Sequence, residues 1–150
     1  MLQRIFHVNI VVEDLDRTLA FYCDVLGFSV VYGEVTTDDP IIARGFGYEG
    51  NGRMRWALIR LGDDEDALLI DVEQWIEPAT TGRPYPECSN NGIGRIALKV
   101  GDIDKAYGDL KDKGVAFLSP PQTLHFPDFG DFKFCCFRDP DGIVLELVEV

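Results

Sequence analysis

The feature that most restricts how this chain can fold is an internal repeat. The stretch RIFHVNIVVEDLDRTLA at residues 4–20 resembles NGIGRIALKVGDIDKA at residues 91–106. An offset of 88 positions places Val12 on Val100 and brings the neighbouring apolar and acidic positions into the same order. Self-similarity at a fixed offset is typical of a duplicated supersecondary unit. The sequence therefore predicts two copies of one unit rather than two unrelated domains.

Each copy has the pattern of a strand, a helix and three further strands. An apolar stripe with an Asp at its start and a Gly after its end predicts each helix, and β-branched runs between turn residues predict the strands. The predicted class is α+β, with two βαβββ modules at residues 1–77 and 93–150 and a Pro/Gly/Asn-rich connector at residues 78–92. The predicted elements are a strand at 5–12, a helix at 14–27, strands at 28–35, 53–61 and 67–75, then a strand at 93–100, a helix at 103–113 and strands near 115–119, 132–138 and 143–149.

Charge and hydropathy exclude several classes of partner. The formal net charge is −12 and there is no basic run, so the surface is expected to repel nucleic acid and anionic membranes. No segment has the roughly 20 consecutive apolar residues that cross a bilayer, and no leader peptide is apparent, so a cytoplasmic location is predicted. The four cysteines have no metal-binding spacing and are interpreted as core-filling thiols in a reducing compartment.

Polar residues recur at equivalent positions of the first and last strands of both copies. Side chains alternate along a strand, so His7 and Asn9 face away from the apolar side that packs on the helix. The residues that correspond across the repeat are His7 and Arg95 in the first strands, and Asp71 and Glu146 in the last strands. A charge in such a position is costly unless it is paired, solvated in a cleft or bound to a metal. These four residues therefore predict a functional site.

Three motifs give the chain a resemblance to a known family. They are HVNIVVEDLDRTLAFYCDVLGF at residues 7–28, GIGRIALKVGDID at 92–104, and FRDPDGIVLELVE at 137–149. The chain resembles the vicinal oxygen chelate superfamily, which includes glyoxalase I, extradiol dioxygenases, and fosfomycin- and bleomycin-resistance proteins. The resemblance implies a glyoxalase-like fold in which the modules form a curled mixed sheet around a cleft, either within one chain or across a dimer. It also implies a small polar molecule as ligand and a homodimer as the expected assembly.

The resemblance further implies a metal site, from which Arg95 departs. His7, Asp71 and Glu146 match ligand positions of metal-using members, but Arg95 stands where those enzymes typically have histidine. Arginine stays protonated and has no lone pair, so it cannot bind a metal. The remaining ligands suit a divalent ion, Mn²⁺, Mg²⁺, Zn²⁺ or Ni²⁺, and they disfavour the two-histidine iron site of dioxygenases. The alternative is that no metal binds and Arg95 takes its place.

Two functions follow from these alternatives. The first is a glyoxalase-type lyase or isomerase, in which the divalent ion is a Lewis acid and Glu146 is both ligand and catalytic proton carrier. The second is a metal-free, antibiotic-binding type of protein. Both predict Arg95, Asn9 and His125 as substrate-binding residues. A purely structural role is the third hypothesis, and the inward-facing charges disfavour it.

Three other features are given less specific interpretations. Glu73 shares a face with Asp71 and is interpreted as a residue at the rim of the site, with the alternative that it is the metal ligand in place of Asp71. His125 is interpreted as part of a loop beside the cleft, together with the aromatic residues Phe126, Phe129 and Phe132. The segment at residues 44–56 is interpreted as a surface hairpin whose basic residues offset an acidic chain.

Overall fold

Each half of the chain folds around a four-stranded mixed sheet. The computed structural model describes residues 1–128 and 130–150, and it divides into two units, Met1–Gly82 and Arg83–Val150. In the first unit the sheet order is β1-β4-β3-β2, with β1 parallel to β4 and the other pairs antiparallel. Its elements are β1 (His7–Val11), α1 (Leu15–Ala20) continued by a π-helical turn (Phe21–Val25), β2 (Phe28–Thr37), α2 (Pro40–Gly45), β3 (Arg53–Leu61) and β4 (Leu69–Glu77).

The second unit repeats this arrangement. Its sheet order is β5-β8-β7-β6, again with one parallel pair, β5 and β8, at the edge that holds the first strand of the unit. Its elements are β5 (Ile96–Lys99), α3 (Ile103–Asp112), β6 (Gln122–Phe126), β7 (Gly130–Arg138) and β8 (Val144–Glu149). The predicted α+β class with two βαβββ modules is therefore confirmed. Among the described residues, no helix is long and apolar enough to span a membrane.

The repeat extends to how each helix begins. The Asp14 carboxylate accepts a hydrogen bond from the Arg17 backbone N–H at 3.0 Å, and the Asp102 carboxylate accepts one from Lys105 at 2.9 Å. Both aspartates have extended backbone geometry at the N-cap position. Such caps satisfy an N–H group that has no partner within the helix, and each contributes about 1 kcal/mol. Both helices therefore start where the sequence predicts.

A further hydrogen bond connects the first residue of each helix to the strand that comes last in the sequence of its unit, β4 or β8. The Gln74 side chain accepts a hydrogen bond from the Leu15 N–H at 3.1 Å, and the Glu149 carboxylate accepts one from Ile103 at 2.7 Å. These contacts hold one face of each sheet against its helix. Buried apolar residues fill that layer, including Val12, Leu19, Tyr22, Ile70 and Val72 in the first unit and Ile103, Phe137, Leu145 and Leu147 in the second. The other face of each sheet is left for polar side chains.

The predicted strand near 115–119 is wrong. In this segment only Phe117 makes an isolated bridge, to Phe137, and the strand that pairs with β7 is β6, which begins at Gln122. Pro120 and Pro121 separate the two segments. Proline has no N–H group to donate to a sheet, so β6 begins only after the two prolines.

The predicted loop around His125 is also wrong. His125 and Phe126 lie on β6, and Phe132 lies on β7, so the segment is a β-hairpin. Phe129, which the sequence places in the same predicted loop, lies outside the described residues.

The predicted surface hairpin at residues 44–56 is replaced by a helix end, a turn and the first part of β3. Helix α2 starts after Asp39, whose carboxylate accepts a hydrogen bond from the Ile41 N–H at 2.8 Å. After the helix, the rings of Phe46 and Tyr48 pack on Trp75 of β4, with centroid separations of 5.6 and 5.2 Å. These aromatic contacts hold the segment against Trp75, while Phe46 and Tyr48 each stay about half exposed.

Candidate functional site

The strand register gathers a polar group on the open face of the first sheet. Asn9 on β1 lies opposite Asp71 on β4, and Trp56 on β3 lies opposite Glu73 on β4. Residues opposite one another in neighbouring strands project to the same side of a sheet. His7, which precedes Asn9 by two positions, projects to this side as well. The face opposite the helix therefore carries the polar residues that the sequence predicted there.

Asn9 joins the two carboxylates of this group. Its side-chain Nδ2 donates to Asp71 Oδ2 at 3.1 Å and to Glu73 Oε1 at 2.7 Å. The indole Nε1 of Trp75 donates to the second oxygen of Glu73 at 3.2 Å. Ionised carboxylates only accept hydrogen bonds, so an amide nitrogen directed at both of them is the orientation that satisfies them. The result is a fixed row of Asp71, Asn9 and Glu73.

The carboxylates of this row are held in an environment that disfavours their charge. Burial is the main cause that raises the pKa of Asp71, and the nearby His7 and the hydrogen bond from Asn9 only partly oppose it. Burial also raises the pKa of Glu73, the charge of Asp71 adds to this, and the bonds from Trp75 and Asn9 oppose it. Repulsion between like charges and loss of hydration both favour the neutral acid. The row therefore needs a positive partner or a proton.

Three buried polar atoms near this row have no hydrogen-bond partner among the residues that the structure describes. They are His7 Nδ1, Trp56 Nε1 and Asp71 Oδ1. A buried polar atom without a partner costs about 1–3 kcal/mol. Such groups in a native fold require an explanation, and a bound ligand is one.

A cavity opens next to the row. Its volume is about 370 Å³, within the range of about 300–1,000 Å³ that is usual for small-molecule sites. Asp71 and Glu73 form its polar wall. The rest of the lining comes mainly from the α2 region and β3, namely Ile42, Gly45, Phe46, Met54 and Trp56. A mostly apolar cavity with a few converging polar groups is the usual form of a binding site.

The interpretation of Glu73 as a rim residue is wrong. The residue is 4% exposed, and two donors hold its carboxylate. The aromatic segment after α2 packs on Trp75, and Trp75 in turn covers Glu73. In the sequence, one feature indicates that Glu73 belongs to the site: it lies two positions after Asp71 and therefore on the same strand face.

In the second unit Arg95 and Glu146 form an ion pair. Arg95 Nε lies 2.9 Å from Glu146 Oε1, and the side chains are 47% and 5% exposed. The oxygen accepts no directed hydrogen bond from a described residue, because the N–H does not point at it. Proximity to Glu146 raises the pKa of Arg95, which is protonated in any case. Glu146 thus has its counter-charge in the same unit.

The two residues that lie opposite Glu146 in the neighbouring strands are not cations. Ala97 of β5 and Cys136 of β7 are its neighbours in the sheet. Burial raises the pKa of the Cys136 thiol, and the charge of Glu146 raises it further. The thiol is therefore neutral at physiological pH. Arg95 is the charged group that balances this carboxylate.

His125 does not join Arg95 and Glu146 within the second unit. It lies on β6, at the opposite edge of the sheet from β5, and its Nδ1 is 2.7 Å from the Asp131 carboxylate. Its side chain is largely exposed to solvent. Its assignment as a substrate-binding residue stays a prediction.

The residues present fit a metal ion only in part. In the described chain no group of three His, Cys, Asp or Glu side chains is arranged to hold an ion. In the first unit His7 and Asp71 supply one nitrogen and one carboxylate donor, both with a buried unpartnered atom. In the second unit the corresponding pair is a cation and a carboxylate bound to each other. The donor set of the second unit is thus poor for a metal.

Known proteins resemble this chain along its whole length. A probable lactoylglutathione lyase from Synechocystis is 28% identical, with 97% of this chain and 94% of the relative aligned. The uncharacterized protein YaeR of Escherichia coli is 30% identical, with 99% and 97% aligned. A crystal structure of a glyoxalase family protein from Bacillus cereus matches with a TM-score of 0.81 at 21% identity, covering 99% of this chain and 95% of the other.

The family assignment rests on a match across almost all of the sequence. Residues 4–147 match the model of the Glyoxalase/Bleomycin resistance protein/Dioxygenase superfamily. The matched range includes both βαβββ units and the four positions that correspond across the repeat. The chain belongs to the Glyoxalase/Bleomycin resistance protein/Dioxygenase superfamily.

Proposed function

We propose that this protein binds a small molecule in the cavity of the first unit without a metal ion, and that Arg95 takes the place of the metal beside Glu146. The observation that carries the proposal is the Arg95–Glu146 ion pair at 2.9 Å, in which a buried carboxylate is balanced by a permanent cation. The superfamily binds small molecules, and this chain keeps a cavity of suitable size.

Charge explains why an arginine at this position favours the metal-free alternative. A guanidinium and a divalent ion about 5 Å apart repel each other by several kcal/mol at the dielectric typical of a protein surface. A charge-assisted contact to Arg95 also occupies the carboxylate that a metal would need. The guanidinium therefore replaces both the charge and the binding partner that an ion would provide at Glu146.

A ligand screen in chelator-treated buffer tests the binding function. At ten times its Kd, a bound fragment is expected to stabilise the protein by about 1.4 kcal/mol, which raises Tm by about 3–6 °C. Gly45 lines the cavity, and a Cβ there meets no atom within 4 Å, so a side chain can start at this position and Gly45→Leu is expected to occupy part of the cavity. The matched control is Gly108→Leu, on α3 of the second unit, where a Cβ also meets open space.

The expected result is that fragments stabilise the wild type and Gly108→Leu but no longer stabilise Gly45→Leu. Thermal shifts that Gly45→Leu leaves unchanged would place the ligand elsewhere. A complete absence of hits from a diverse fragment library would also contradict the proposal.

A second candidate is a metal-assisted lyase or isomerase that uses His7, Asp71 and Glu146 as ligands. It is favoured by the unpartnered atoms of His7 and Asp71 and by the relative named a probable lactoylglutathione lyase. When bound, a divalent ion supplies Lewis-acid polarisation of substrate oxygens. In this candidate Glu146 also carries a proton to or from the substrate, and Arg95 holds an anionic group.

Metal analysis of the untagged protein separates the two candidates. After incubation with Mn²⁺, Zn²⁺ or Ni²⁺ and gel filtration, the wild type is expected to retain less than about 0.1 ion per chain, because Arg95 cannot be a ligand. Arg95→His removes the cation and adds an imidazole, so it is expected to retain close to one ion. Stoichiometric metal in the wild type that His7→Ala abolishes, together with metal-dependent lactoylglutathione lyase activity, would establish the second candidate instead.

A further inference from the structure

The polar wall of the first-unit cavity consists of two carboxyl groups without a permanent cation beside them in the described lining. Asp71 and Glu73 line it, and no Lys or Arg is among the described residues of the lining. Asn9 joins the two carboxylates with a neutral amide, so it gives hydrogen bonds but no counter-charge. In the second unit the equivalent carboxylate, Glu146, has Arg95. In the first unit the corresponding place holds the imidazole of His7 rather than a guanidinium, and His7 is not among the described residues of the lining.

One carboxylate oxygen of this wall also lacks a donor. Asp71 Oδ2 accepts from Asn9 at 3.1 Å, but the buried Oδ1 has no partner among the described residues. Glu73 differs, because each of its two oxygens accepts one hydrogen bond, Oε1 from Asn9 and Oε2 from Trp75. A ligand N–H group that reaches Oδ1 would supply the donor it lacks, and a charged N–H gives the stronger bond.

The remaining walls suit an apolar body next to a positive charge. Phe46 and Trp56 line the cavity together with Met54 and Ile42. Aromatic rings attract ammonium groups through the negative face of the ring, and Trp does so most strongly. An anionic ligand in the same place would meet two carboxylates and no cation among the described lining residues.

From these three observations we infer that the cavity selects a small organic cation, a protonated amine carried on an apolar or aromatic body, with the ammonium group beside Asp71. The inference rests on the proposed function, since it names the chemical class of ligand that the cavity takes. Asp71 is the specificity-determining residue, and the aromatic walls hold the body of the ligand.

Three indole compounds of similar shape and different charge test the inference. They are tryptamine, a cation at pH 7.5, tryptophol, which is neutral, and indole-3-propionate, an anion. Isothermal titration calorimetry on the full chain is expected to show tryptamine binding about tenfold more tightly than tryptophol, and tryptophol more tightly than the acid.

Matched variants identify the residue that recognises the charge. Asp71→Asn keeps the shape and an oxygen that accepts from Asn9, so it should reduce the preference for tryptamine over tryptophol to less than about threefold. Asp112→Asn makes the same change in net charge at an exposed position of α3 and should leave the preference intact. Gly45→Leu should abolish binding of all three compounds.

The remaining outcomes contradict either the inference that the cavity selects a cation or the proposed binding function itself. If tryptophol or the acid binds as tightly as tryptamine, and Gly45→Leu abolishes that binding, the cavity is a ligand site but does not select cations. If tryptamine fails to bind while library fragments sensitive to Gly45→Leu do bind, the inference again fails alone. If no compound and no fragment binds, the proposed function fails with it.

Discussion

Arg95→Met is expected to lower the free energy of unfolding by about 2–3 kcal/mol at pH 8, because it leaves a buried carboxylate without its cation. Glu146 is 5% exposed and Arg95 is its ion-pair partner at 2.9 Å. Methionine keeps much of the aliphatic stem of arginine, so the lost charge rather than lost packing causes the effect. The expected loss of unfolding free energy is smaller than for a fully buried ion pair, because the arginine side chain is 47% exposed and solvent screens its charge.

Two control variants separate this effect from general damage. Glu146→Gln leaves Arg95 without a partner, but a half-exposed guanidinium is still hydrated, so the loss should stay below about 1 kcal/mol. The double variant Arg95→Met/Glu146→Gln has no unpaired charge and should recover most of the loss. Urea unfolding of all four proteins at pH 8 measures the cycle. Equal losses for the two single variants, or additive losses in the double variant, would show that the pair is not a coupled ion pair.

The pair also explains why the repeat carries different residues at equivalent positions. In the first unit the imidazole of His7 and the carboxylate of Asp71 both keep a buried atom without a partner among the described residues. In the second unit the guanidinium satisfies the charge of its carboxylate within the unit. The repeat has therefore kept the fold in both copies, while the carboxylate of one copy has a guanidinium as counter-charge and the carboxylate of the other has an imidazole at the corresponding position.

Much of the fold was predictable because its determinants are local. The Asp N-caps at Asp14 and Asp102 and the alternation of apolar residues along β1 act within a few residues. The same alternation placed His7, Asp71 and Glu146 on their strand faces, whereas Arg95, predicted on a strand at 93–100, directly precedes β5. The offset of the repeat then extended each local assignment to the other half of the chain.

The parts that were mispredicted depend on contacts between distant segments. The turn after the short helix α2 is held by the packing of Phe46 and Tyr48 on Trp75, which lies on a different strand and which no local pattern links to the turn. The burial of Glu73 follows from the same packing. The hairpin that contains His125 depends on pairing with β7, which a short run of mixed polar and aromatic residues does not specify.

Asn9→Leu is expected to destabilise the protein by about 2–3 kcal/mol at pH 8, since it removes the donor that Asp71 and Glu73 share. The hydrogen bonds from Asn9 lower the pKa of both carboxyls, against the raising effect of burial. Without them both pKa values rise further above their ordinary values of 3.8 and 4.5.

The pH dependence of this loss has a definite sign. A carboxyl whose pKa is raised on folding binds more protons in the folded than in the unfolded state, so stability falls as pH rises from the unfolded pKa to the folded pKa. The loss caused by Asn9→Leu should therefore be complete above the raised pKa values and should shrink towards pH 3.8. Urea unfolding at pH 8, 6 and 4 measures this trend.

The controls test whether the row of Asp71, Asn9 and Glu73 acts as one unit. Asn9→Leu/Asp71→Asn removes one of the two repelling charges and should recover part of the loss at pH 8 but little at pH 4. Asn91→Leu, the same change at an exposed position of the second unit, should stay within about 0.5 kcal/mol of the wild type. A loss for Asn9→Leu that is the same at pH 8 and pH 4 would mean that packing, and not the shared amide, is what Asn9 contributes. The polar wall of the cavity would then be two independent carboxylates rather than one preorganised acceptor for a ligand cation.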